Sequence, residues 1–172
     1  MAAGVAAFSV FSAFIPEHSI AVGMSGAAGL FLVYSAVSVS LRLFGARLPE
    51  RLGEQRMVSI ALTALGASLG LLAAVAQPWA LWVAAAGVGL GMAFMYPSLM
   101  ANVVNRVDED ERASALSSFT MFFELGTVVG GVALGAVGQL FDKRASFFGA
   151  AVIAVSGLWV LWTRVVPSDS DA

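Results

Sequence analysis

Glu124 is the residue whose setting most invites chemistry. It stands in TMFFELGTVVGG, with apolar residues for several turns on either side. A charge buried in hydrocarbon costs at least ~2.5 kcal/mol, so this side chain is expected to face a bundle interior or a wet cavity. Taking up a proton would remove most of that cost, so the carboxyl group could carry a proton or hold a cationic solute. Its structural alternative is a hydrogen bond to a neighbouring helix. Tyr34, Tyr96, Trp82 and Asn102 could line a cavity with aromatic and polar groups, or serve singly as interface anchors and packing. His18 is the sole histidine and follows Pro16, where a water-exposed ring is expected.

One enzymatic motif has to be weighed. Gly23-Met24-Ser25-Gly26 is a GxSG, and six-helix intramembrane serine proteases carry one. Those enzymes activate the serine with a histidine on a different, later helix. Here the histidine precedes the serine by seven residues in the same connection, and Ser25 is placed to cap the next helix. The geometry argues against catalysis. The chain has no cysteine, hence no disulfide, thiol redox centre or thiolate metal site. No phosphate loop, metal cluster or nucleic-acid patch is present, and no cofactor is implied.

These groups sit in a chain made for lipid. Hydrophobic residues make up 59%, charged residues only 12%, and mean hydropathy is +0.88. A soluble domain carries roughly a quarter charged residues. Six apolar runs are predicted as spanning helices, at about 3–21, 26–45, 57–76, 79–104, 113–140 and 145–163, within a domain of residues 1–166. Residues 167–172 form a polar cytoplasmic tail. The apolar part of the first run, Ala3 to Ile15, is short for a crossing before Pro16-Glu17-His18. Runs this long without two-residue alternation do not fit barrel strands, so the fold class is an all-α membrane protein. The N-terminus lacks a basic region, so no cleavable signal peptide is expected.

Arginines set the orientation. Arg42, Arg47, Arg51, Arg56, Arg106, Arg112 and Arg164 fall on one side of a six-span chain, and only Lys143 and Arg144 on the other. By the positive-inside rule both termini are expected in the cytoplasm. Arg42, at the end of the second run, can snorkel to the surface. The other polar island, NRVDEDERAS, places Asp108 and Glu111 at capping-box spacing; it is either a solvated helix start or a gating contact. Gly87, Gly91, Gly126 and Gly130 repeat four apart and are expected to let helices pack closely, while Pro97 can kink the fourth span.

The loop Ala46 to Arg56, ARLPERLGEQR, resembles the signature loop of the major facilitator superfamily, G-x-x-x-D-R-x-G-x-R/K-R/K. Glu50 stands for the Asp; Arg51, Gly53 and Arg56 match; Ala46 replaces the first Gly, and Gln55 breaks the basic pair. The segment from Gly87 to Gly131 is also similar to helices ten and eleven of these transporters. The resemblance implies one half of the fold, helices seven to twelve, from a bacterial inner-membrane efflux antiporter moving a small solute by proton-coupled alternating access. It implies that Glu50 and Arg51 latch the cytoplasmic side, so that Arg42, Ala46, Glu50, Arg51, Gly53 and Arg56 form a gating element. The implied partners are the bilayer, a small-molecule substrate, and the absent N-terminal half or a second copy. A non-transporting scaffold or accessory subunit is the alternative.

Overall fold

The computed structural model describes residues 2–45, 48–105 and 107–165. All six predicted runs are helical, and five are long and apolar enough to cross a membrane. The first does not end at its proline. α1 spans Ala2–Ala21 with Pro16 inside it. Pro16 cannot donate to the carbonyl one turn back. The last turn is nevertheless held, because it buries His18 and Ser19 against the rest of the bundle.

The second helix, α2, covers Ala28–Phe44. Seventeen residues rise about 25 Å, near the lower limit for a crossing. It starts later than its apolar run, and Ser25 does not cap it. Ala27 occupies the cap position without a side-chain bond. The reason is Gly26, whose φ of +143° breaks the helical course just after Ser25 and leaves that serine exposed in the turn.

The arginine loop is more ordered than its sequence suggests. A short helix, α3 (Leu48–Leu52), precedes Gly53, and α4 follows at Glu54–Ala74. α5 runs Pro78–Val104, opening on a proline in its first turn and passing unbroken through Pro97. The expected capping box at Asp108 and Glu111 is not formed. A 3-10 turn over Glu109–Glu111 intervenes, closed by the Glu111 N–H on the Asp108 carbonyl at 3.0 Å, and neither acid caps with its side chain. α6 (Arg112–Leu140) follows it. α7 (Lys143–Val160) is capped by Asp142, whose carboxylate accepts from the Lys143 N–H at 2.7 Å, and ends in a π-helical turn, Leu161–Val165.

α4 and α5 pack along most of their lengths. α2 lies on the other side of α5, while α7 lies on α4; α1 packs against α6 and α7. The core is built from Val10, Phe11 and Ile15 of α1, Leu65 and Leu69 of α4, Leu81 and Met95 of α5, and Phe147 of α7. Glycines make these approaches possible. A Cβ on Gly91 would lie 3.0 Å from the Ala61 carbonyl of α4, and one on Gly87 would overlap Ser68 of the same helix. Gly89 points the other way, where a Cβ would be 2.7 Å from the Tyr34 carbonyl of α2. Gly126 is buried, and Gly130 meets α1 at Ala6. Two serines tie helices directly: Ser38 donates to the Gly89 carbonyl at 2.9 Å, and Ser146 to the Leu134 carbonyl at 2.7 Å.

Candidate transport site and gating loop

The candidate polar residues do not share one cavity. Tyr34 of α2 is half-buried, stacked on Phe8 of α1 with ring centroids 5.4 Å apart and tilted against Phe11 at 6.3 Å. Tyr96 of α5 meets Phe119 and Phe123 of α6 edge-on, both at 5.5 Å. Its neighbourhood also opens toward α2. There Tyr96, Pro97, Phe94 and Leu41 line a cavity of about 320 Å³ that includes Arg42. A guanidinium beside a phenol and an aromatic wall can hold an anionic or aromatic solute.

Asn102 stands between the loop and α6, where it also lines a cavity with Ser118, Phe119 and Phe122. It faces Leu52, Gly53, Gln55 and Arg56 across a polar pocket of about 330 Å³, so the end of α5 and the start of α4 meet at the motif glycine. Gly53 has φ +83° and ψ +148°, a conformation natural only to glycine, and it turns the chain sharply from α3 into α4. Arg51 and Arg56 are exposed around that turn, presenting cations to whatever lies beyond the loop. Ala46 and Arg47, Arg106 and the tail 167–172 lie outside the described residues, as does the side chain of Glu50.

Glu124 departs from expectation. Within the six-helix body it is exposed on α6 and borders a shallow depression of about 470 Å³ with Leu116, Ser117, Thr120 and Met121, all from its own helix. α6 turns its buried residues, Phe119, Gly126 and Leu134, away from that face. His18 also departs from expectation: it is 5% exposed, and its ring lies edge-on to Phe147 at 5.3 Å. Among the described residues its Nε2 has no hydrogen-bond partner, while Ser25 is exposed in the turn after α1. Sequence reasoning missed the ion pair between Glu17 of α1 and Lys143 of α7. It joins residues far apart in the chain, and each taken alone reads as a solvated charge.

Helices of bilayer length, apolar on their outer faces and joined by short polar turns, define an all-α, multi-pass membrane protein. The sequence model of the Major Facilitator Superfamily matches residues 1–172, and the chain belongs to that superfamily. It is similar to an uncharacterized MFS-type transporter of Pseudomonas aeruginosa strain UCBPP-PA14, 28% identical over 92% of this chain and 39% of that protein. It is also similar to the uncharacterized MFS-type transporter YhhS of Escherichia coli K12, 25% identical over 94% of this chain and 40% of that protein. YhhS of Salmonella typhimurium strain LT2 is 26% identical over the same shares. The chain thus spans about two-fifths of the length of these relatives. The family points to membrane transport rather than enzymatic chemistry.

Proposed function

We propose that the chain is the C-terminal half, helices seven to twelve, of a transporter that exports a small solute in exchange for protons. It works in the bacterial plasma membrane with both termini cytoplasmic, docked to the other six-helix half or to a second copy. The free face of α6 carries this reading. Met121, Phe122, Leu125, Val128 and Val129 are exposed there, and Glu124 is exposed among them. Facing lipid, that carboxylate costs at least ~2.5 kcal/mol. Facing a second half, it borders the wet path where solute and coupling ions bind near the midplane, and it can take up and release a proton. Arg42 and Tyr96 contribute a cavity on the same half, and the loop from Leu48 to Arg56 closes the cytoplasmic side in the outward-facing state.

Transport measured on the full-length protein tests the coupling. In everted vesicles loaded by a proton gradient, with ethidium as the probe cation, Glu124→Gln is expected to abolish uphill accumulation and its pH dependence, while downhill exchange survives. An unchanged pH dependence removes Glu124 from the mechanism. Orientation is tested separately. Because the sequence has no cysteine, a single cysteine at Leu48 or Leu52 is the only thiol in the chain. An impermeant maleimide is expected to reach it only in permeabilised cells; labelling in intact cells refutes the cytoplasmic loop.

A further inference from the structure

α4 and α7 pack closely at one level and part at another. At Gly66 an added Cβ would lie 3.4 Å from Val155 and 3.6 Å from Ala154, an ordinary contact. One turn on, at Gly70, it would meet nothing within 4 Å. Here the two helices leave a cavity of about 900 Å³, floored by Gly70, Ala73 and Ala74 and walled by Phe148, Val152 and Trp159 of α7. Among the described residues its one charged lining residue is Arg144, at the end of α7 remote from the arginine loop. Neighbouring Lys143 is paired with Glu17, whereas neither ion pair among the described residues includes Arg144.

We infer that this groove binds one anionic phospholipid, its acyl chain along α4 and α7 and its phosphate on the Arg144 guanidinium. Lining selects the occupant. From Arg144 to Trp159 α7 rises about 22 Å, more than the ~15 Å hydrocarbon depth of one leaflet, and beyond the guanidinium the walls are almost wholly apolar. A flexible hydrocarbon chain matches such a wall. Charge selects the headgroup: a guanidinium binds a phosphate bidentately, and the lone cation at the mouth is complemented by a lipid of net negative charge.

Native mass spectrometry of the whole chain in detergent, given equal amounts of phosphatidylglycerol and phosphatidylcholine with identical acyl chains, tests this. One retained phosphatidylglycerol is expected, preferred by about tenfold. Arg144→Gln should bring the two lipids to parity, and Lys143→Gln, which removes a charge already paired, should leave the preference intact. Gly70→Phe fills the groove where no protein atom is met, and should reduce retention of both lipids. Equal retention by the unaltered chain overturns the proposal. So does a preference that survives Arg144→Gln, or one lost equally in Lys143→Gln. Should Gly70→Phe fail to fold, the comparison of Arg144→Gln with Lys143→Gln decides the matter.

Discussion

Gly130→Ala is expected to destabilise the bundle by roughly 1–3 kcal/mol, the range for overpacking a filled interior. The new methyl would overlap the Cβ of Ala6 and come to 2.8 Å from its Cα. Alanine has no rotamer that moves aside, so α1 and α6 must separate as bodies. Separation costs contacts along both helices, because dispersion falls steeply with distance. Gly135→Ala on the same helix is the control. There a Cβ meets nothing within 4 Å, and alanine is the better helix former, so stability should hold or rise slightly. Titration of the purified chain with sodium dodecyl sulfate, followed by tryptophan fluorescence, gives both values. Equal midpoints for the two variants would mean that α1 and α6 do not approach closely.

The second large effect is expected at Gly53, for a different reason. No atom lies within 4 Å of a Cβ built there, so substitution is not opposed by neighbours. It is opposed by the backbone. A side chain at φ +83° and ψ +148° costs about 1–3 kcal/mol, and the chain can relieve that strain only by changing the angle between α3 and α4. The loop proposed above to close one side of the transporter would then be misplaced while the helices stay intact. Gly53→Ala in the full-length protein is therefore expected to cut ethidium export by about tenfold or more with near-normal amounts of protein in the membrane, if most of that strain falls on the closed state. Asparagine should not rescue it, since its tolerance of positive φ is confined to lower ψ. Wild-type export by Gly53→Ala would separate the loop's geometry from the transport cycle.

Some of this protein is legible in one dimension because the bilayer is a strict solvent. Hydrocarbon thickness demands helices of a narrow length range, and unsatisfied backbone cannot be exposed there. The runs that became α4, α5, α6 and α7 could therefore be delimited to within a few residues. Four-residue glycine spacing on α5 correctly implied a close neighbour, since Gly87 and Gly91 both face α4. The short helix within the arginine-rich loop, Leu48–Leu52, carried no signal in the sequence. Local rules failed where tertiary packing outweighed them. His18, expected to be water-exposed after Pro16, is buried against Phe147, because α1 runs on through the proline over its expected span of 3–21. Ser25 and Asp108 did not cap, because a glycine turn and a 3-10 turn moved the helix starts beyond them.

By itself the sequence determined an all-helical membrane body, the approximate bounds of its helices and its superfamily, since these depend on length, composition and short spacings. Only the tertiary structure decided which helix touches which, that Glu124 lies on the free face of α6, and that Tyr34, Tyr96 and Asn102 do not line one cavity. The physical reason is that lipid tails are as apolar as a protein interior. A leucine facing a neighbouring helix and one facing the bilayer therefore carry the same pattern in sequence, and only packing tells them apart.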